Sequence, residues 1–172
     1  MKLEKAMEIA AKISDEIAPY CSRLQIAGSI RRQRAEVGDI DIVCLPANPA
    51  AKKGLRQRVI RTNPRIIADG SYTLEVELAG KVRLDIWMAE TMNQRDFFSA
   101  APHTNFGSLL LCRTGSIAHN VFLVGVAKHH GLRWNPHWGV YDNNGVCLAS
   151  ENEEDIFKAL KLDFIKPEDR ER

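Results

Sequence analysis

The chain has 172 residues, 45% of them hydrophobic and 27% charged, with a formal net charge of +2. That length suits one good core or two small lobes, and the near-neutral balance does not by itself announce a nucleic-acid partner. No apolar run approaches the roughly 20 residues of a membrane helix. No apolar leader opens the chain, and Cys21, Cys44, Cys112 and Cys147 form no C-x-x-C pair, so reduced thiols in a cytoplasmic protein are expected.

Leu3, Ala6, Met7, Ala10, Ile13 and Ile17 recur at helical spacing, which predicts an amphipathic helix ended by Pro19. Residues 23–27 read as a short strand and Gly28-Ser29 as the turn after it. Residues 39–45 read as a second strand, closed by Pro46, Asn48 and Pro49, and residues 50–61 as a basic helix. Residues 72–78 and 82–88 alternate at period two around Ala79-Gly80-Lys81, the pattern of a hairpin. After Glu90 the character shifts. Residues 116–130 form a markedly apolar helix ended by Gly131, residues 134–145 read as turns and short strands, and residues 153–160 as a last short helix. Two lobes are expected, residues 1–95 and 96–172.

On a strand, side chains alternate faces, so Asp39 and Asp41 point one way while Ile40 and Ile42 point into the core. The two carboxylates then sit about 7 Å apart. Further on, Val82, Leu84, Ile86 and Met88 make an apolar face and Arg83, Asp85 and Trp87 the opposite one, so Asp85 joins the pair if the strands are neighbours. Like charges converging on one face repel without a counter-ion, and hard carboxylate oxygens favour Mg²⁺ or Mn²⁺ with substrate phosphates completing the octahedron.

Gly28 lets backbone approach a ligand closely, and the amides of a turn before a helix form an anion-binding concavity. The Ser29 hydroxyl can donate to a phosphate oxygen, and Arg31 or Arg32 can bind one bidentately. Phosphate and cation sites so close together suit a metal-dependent phosphoryl or nucleotidyl transferase. Lys52, Lys53, Arg56, Arg58, Arg61 and Arg65 form a basic run with no acid between them. It reads equally as a solvated helix face and as a phosphate-backbone contact. The histidines show no ligand spacing, and Trp87, Trp134 and Trp138 read as packing residues more readily than as base-stacking ones.

Gly28-Ser29-Ile30-Arg31-Arg32, then Gly38-Asp39-Ile40-Asp41, then Arg83-Leu84-Asp85-Ile86 resemble the motif set of the DNA polymerase beta family, family X. The resemblance continues through Thr114-Gly115-Ser116, Asn120, Gly131-Leu132 and Asn135 to Glu153-Glu154-Asp155-Ile156-Phe157 and Pro167-Glu168-Asp169-Arg170. It leaves out only the variable residues 46–72. The fold it implies is α/β (α+β): a nucleotidyltransferase-type mixed sheet with flanking helices, then a small α+β nucleotide-binding lobe. A minimal two-lobe form, without lyase or helix-hairpin-helix domain, is expected.

The resemblance also implies roles. Asp39 and Asp41 would bind two ions, Mg²⁺ or Mn²⁺, and Asp85 the catalytic one, helping to activate a primer 3′-hydroxyl. Gly28, Ser29 and Arg32 would hold the triphosphate. Thr114, Gly115, Ser116 and Asn120 would line the nucleotide, with Asn120 at its minor-groove edge. Arg83 would steady Asp85 or the primer phosphate, and Lys52, Lys53, Arg56 and Arg113 would support nucleic-acid binding. A monomer that extends a primer on gapped or nicked DNA with nucleoside triphosphates, in short-gap repair, is the expected function. Untemplated addition to an RNA end, a small molecule or a protein, and a catalytically silent nucleic-acid-binding module, are the alternatives.

Two departures bear on specificity. Cys112-Arg113 stands where family polymerases commonly have aromatics that exclude a ribose 2′-hydroxyl, so weak sugar discrimination is expected. Ile117 and Val124 stand where relatives carry an acid and a template-contacting arginine. Val121, Val124 and Val126 are expected to pack as core for the most part.

Overall fold

The computed structural model describes residues 1–62, 64–92 and 103–171, which fall into two compact units, Met1–Met88 and Ala89–Arg172. The expected lobe boundary at residue 95 lies outside the described residues.

The N-terminal unit opens with helix α1 (Leu3–Ile17), whose buried stripe is Ala6, Ala10 and Ile17. Pro19 falls in a short 3-10 turn that ends the helix, and strand β1 (Cys21–Ile26) follows. Helix α2 (Gly28–Arg31) is a single turn, then come β2 (Asp39–Pro46) and α3 (Pro49–Ile60). Pro49 suits the first turn of α3, where its missing N–H has no partner to lose, and the Asn48 side chain caps the helix by accepting from Ala51 N–H at 2.8 Å. Strands β3 (Arg65–Asp69), β4 (Thr73–Leu78) and β5 (Val82–Met88) complete the unit.

The five strands form one sheet in the order β1-β2-β5-β4-β3. Pairings are antiparallel except β2 with β5, which run parallel, so the sheet is mixed. Ile40, Ile42, Cys44, Leu74, Val76, Leu84, Ile86 and Met88 are buried on one face and pack with α1 and α3 residues Ala6, Ala10, Ile17, Leu55 and Val59. The hairpin read from residues 72–88 is present, turning between Leu78 and Val82. The β3 strand is unforeseen. It lies at the sheet edge with Ile66 and Ile67 exposed and a bulge between Ile66 and Ala68, so no alternation survives in its sequence.

In the C-terminal unit, β6 (Thr91–Met92) pairs with β7 (His103–Thr104). Helix α4 (Phe106–Thr114) leads through Gly115 to α5 (Ile117–His129). Strands β8 (Arg133–Asn135), β9 (Gly139–Tyr141) and β10 (Cys147–Ala149) form a small antiparallel sheet, and α6 (Glu153–Ala159) follows. Leu111, Leu123, Ala127, Trp134, Val140, Ile156, Phe157 and Leu160 make this unit's own core. The expectation for the α5 valines is corrected. Val121 and Val124 are 66% and 49% exposed and Ile117 is 84% exposed, while His119, Leu123 and Ala127 take the inward face. Among the described residues no helix is long and apolar enough to cross a membrane.

Candidate active site

The polar face of the N-terminal sheet is set by strand register. Because β2 and β5 run parallel side by side, Asp39 pairs with Arg83 and Asp41 with Asp85. Antiparallel β4 then adds Glu75 beside Asp85 and Glu77 beside Arg83. Period-two alternation therefore brings Asp39, Asp41, Asp85 and Glu75 onto one surface, opposite the core.

Each carboxylate meets a different environment. Asp85 is only 5% exposed and accepts from Arg83 Nε at 3.0 Å, while Arg83 Nη2 reaches Glu75 Oε2 at 2.8 Å. Burial pushes the Asp85 carboxyl up, the Arg83 guanidinium pulls it back, and Glu75 and Asp39 add repulsion. Arg83 is held above its ordinary value, chiefly by its hydrogen bond to Asp85. Asp41 accepts from the Trp87 indole N–H, Nε1 to Oδ1 at 3.1 Å. Among the described residues, no three His, Cys, Asp or Glu side chains are placed to hold a metal ion as they stand.

The turn after β1 lies directly against Asp41. Ala27 N–H donates to the Asp41 carbonyl at 2.8 Å, extending the β1–β2 ladder to the turn. Gly28 then takes a φ of 59°, and a Cβ on it would collide with Asp41 Oδ2. Glycine is required twice over here, for the left-handed backbone and for the close approach. The Ser29 Oγ is buried without a hydrogen-bond partner. A buried hydroxyl left unmatched has its donor capacity open to a water, an ion or a ligand. Arg31 and Arg32 are half-buried around the same turn.

The basic run is less available than its composition suggests. Arg56 pairs with Asp69 and donates to the Gly70 carbonyl, Arg58 pairs with Glu16 at 3.3 Å, and Arg65 lies 3.9 Å from Glu77. Lys52 Nζ sits over the Tyr72 ring at 5.4 Å, and Lys53 is exposed. Acids distant in sequence answer the Arg56, Arg58 and Arg65 charges, which a reading along the chain could not count.

The C-terminal segment is also tied down. Thr114 is fully buried and Gly115 turns with a φ of 60° between α4 and α5. Ser116 caps α5, its Oγ accepting from His119 N–H at 3.2 Å and donating to the Arg170 carbonyl at 2.8 Å. Asn120 Nδ2 donates to the Cys112 carbonyl at 2.8 Å, which leaves its Oδ1 buried without a partner. Arg113 is half-buried beside them in sequence.

The family model of the DNA polymerase beta thumb matches residues 109–171. Over 170 residues, 96% of this chain, it is 24% identical to DNA polymerase/3'-5' exonuclease PolX of Bacillus subtilis (strain 168). Over 162 residues, 84% of this chain, it is 25% identical to DNA polymerase lambda of Rattus norvegicus. The chain is similar to family X DNA polymerases. It spans 28% of the length of each of these two relatives.

In this family X-like chain the sequence reading gave no site role to four residues, Glu75, Trp87, Arg170 and Glu153. Glu75 stands next to Asp85 only through the β4–β5 register, and its alternation with Leu74 and Val76 was the available signal. Trp87 shares the face of Asp85 and binds Asp41, where packing or base stacking was expected. Arg170 and Glu153 form a fully buried ion pair at 2.7 Å, with Arg170 Nε also donating to the Ile165 carbonyl at 2.9 Å and its guanidinium over Phe157 and Phe164. The resemblance matched both residues without assigning them work.

Proposed function

We propose that the chain is a metal-dependent nucleotidyltransferase that adds a nucleotide from a nucleoside triphosphate to a nucleic-acid 3′-hydroxyl, releasing pyrophosphate. The observation that carries the reading is the in-register Asp41–Asp85 pair beside Asp39, abutting a turn with a buried, unmatched Ser29 hydroxyl. The donor set is all carboxylate oxygen on one face, which fits Mg²⁺ or Mn²⁺ and not a softer metal. Asp39, Asp41 and Asp85 would hold two such ions, which when bound supply Lewis-acid polarisation of the α-phosphate and a more acidic 3′-hydroxyl.

The chain's own residues do the rest. The Gly28 turn and the Ser29 hydroxyl take phosphate oxygens of the triphosphate, with Arg32 as the cationic partner. Arg83, anchored by Glu75, keeps Asp85 aimed and pulls its carboxyl back against the upward push of burial. Thr114, Gly115, Ser116 and Asn120 are the proposed nucleotide contacts of the C-terminal unit, and the unmatched Asn120 Oδ1 is the acceptor that supports this. Lys52, Lys53, Arg56 and Arg113 assist with the nucleic acid. Short-gap filling on DNA, by an intracellular monomer, is the substrate setting that follows from the likeness to polymerases. Ile117, Val121 and Val124 expose an apolar ridge without hydrogen-bond donors, which favours weak reading of a template and makes untemplated addition the second reading.

Primer extension separates the two. Gapped DNA, a single-stranded DNA end and a single-stranded RNA end are supplied with each ribo- or deoxynucleotide, in Mg²⁺ or Mn²⁺. Extension confined to gapped DNA supports the first reading, and equal extension of the single strands the second. No incorporation with either metal overturns both.

A further inference from the structure

The end of α5 and the small C-terminal sheet border a cavity of about 340 Å³, whose walls include Val124, Lys128, Leu132, Arg133, Trp134 and Asn143. That volume falls within the range of small-ligand pockets. Val124, Leu132 and Trp134 supply an apolar wall, and the Trp134 ring is held in place because its indole N–H donates to Ser108 Oγ at 2.9 Å. Lys128, in the last turn of α5, and Arg133, the first residue of β8, bring two positive charges, and among the described residues no acid lines the cavity. Asn143 lies over Gly131, its Nδ2 3.9 Å from where a Cβ there would stand. Among the described residues the Lys128, Arg133 and Asn143 side chains make no hydrogen bond or ion pair.

The cavity is also the end of a longer apolar surface. Ile117, Val121 and Val124 recur at i, i+4 and i+7, so they form one exposed line along α5, and Val124 is where that line enters the cavity. Exposed apolar surface rimmed by polar groups marks a binding site. The chemistry of the rim narrows the occupant. Cations take phosphates, a carboxamide offers both donor and acceptor to a base edge, and an apolar wall takes the face of a base. Inorganic phosphate would leave the apolar wall unused, and an apolar peptide would leave both cations unanswered.

We propose that this cavity holds an unpaired nucleotide of a single-stranded nucleic acid, its base against Val124, Leu132 and Trp134 and its flanking phosphates on Lys128 and Arg133. The inference rests on the nucleic-acid part of the proposed function and not on its metal chemistry. A base inside a duplex is already stacked and paired, so the cavity selects single strands.

The full-length chain is labelled with 5-fluorotryptophan, and Trp87→Phe and Trp138→Phe assign the ¹⁹F resonances, the remaining one being Trp134. Oligothymidylate, an abasic oligomer of equal length, thymidine triphosphate and inorganic phosphate are titrated separately without metal. Expected is a Trp134 shift that saturates with oligothymidylate and is missing with the abasic oligomer and with phosphate. Lys128→Ala/Arg133→Ala, at two exposed positions, should reduce the slope of log affinity against log salt for oligothymidylate by about 1.4, from the roughly 0.7 that each lost phosphate contact removes. A Trp134 resonance unmoved by bound oligothymidylate overturns the proposal, and so does a wild-type salt slope in the double variant. An equal shift with thymidine triphosphate at equal concentration assigns the cavity to a free nucleotide and overturns it too. Primer extension with an unmoved Trp134 sinks the cavity alone, whereas a wild-type chain that binds neither single-stranded nor duplex oligomers overturns the nucleic-acid reading and the cavity with it.

Discussion

At the residue scale, the close approach of Gly28 and Asp41 couples the turn after β1 to the carboxylate face. Alanine at position 28 has to hold a left-handed backbone and displace Asp41 Oδ2. The first demand alone costs about 1–3 kcal/mol. Gly28→Ala is therefore expected to lower the urea midpoint and to abolish primer extension together. Asp85→Ala separates fold from chemistry, because Arg83 keeps Glu75 as its partner. Its circular dichroism should match wild type while extension is lost; activity within about tenfold of wild type, a barrier change near 1.4 kcal/mol, removes Asp85 from the mechanism. The thiols give an independent check of the sheet. A hydrogen bond with Cys44 lowers the Cys21 thiol, whereas that bond and burial push Cys44 up. Iodoacetamide at neutral pH should modify Cys21 well before Cys44, which peptide mapping by mass spectrometry measures.

At the element scale, Ser116 closes α5 and reaches the Arg170 carbonyl. Ser116→Ala should cost about 0.5–2 kcal/mol of stability from the lost cap. Asp142 accepts from Asn144 and Val146 N–H groups in the turn between β9 and β10, bonds that hold its carboxyl below the ordinary aspartate value. A depressed folded pKa gives stability that is present above the unfolded value and lost as pH falls through the folded one. Asp142→Asn should therefore flatten the acid limb of the stability profile, read as urea midpoints across pH, and leave the slope of the neutral range unchanged. How far elements could be read from sequence followed the physics of their surroundings. Helix α1 and the β4–β5 hairpin each bury one face, so their periods survive in the sequence. Helix α4 is buried nearly all round, from Phe106 through Leu111, and its apolar run carries no period to find. The apolar residues of α5 misled in the opposite direction, since Ile117, Val121 and Val124 face solvent.

At the scale of the molecule there are two separate cores, one in each unit. Glu153 and Arg170 are both buried, so removing one leaves the other's charge uncompensated at a cost of about 3–5 kcal/mol. Glu153→Ala should lower the unfolding midpoint seen by Trp134 and Trp138 without moving that of Trp87. Single-tryptophan variants followed by fluorescence test this, and coincident shifts of all three reporters would show one cooperative unit. The shared face of Asp39, Asp41 and Asp85 was legible because each alternates with apolar residues in a short strand motif. The strand order was not, because nothing along the chain says that β5 runs parallel beside β2. The supporting residues Glu75 and Trp87 depend on that order, and so they became visible only in three dimensions.

The parallel β2–β5 pairing also imposes a schedule. Chains emerge from synthesis N-terminus first, and a parallel crossover closes late because the intervening chain must be ordered before its contacts form. Asp39 and Asp41 are made early, together with the Gly28 turn, but their neighbour on the sheet is Asp85. Until β5 is complete at Met88, a nascent chain carries two carboxylates on an open strand edge and lacks the third. Any fragment ending before that strand keeps the signature motif and has no assembled centre. Topology thus acts as a timer that withholds the third carboxylate from this face until the N-terminal unit has been built.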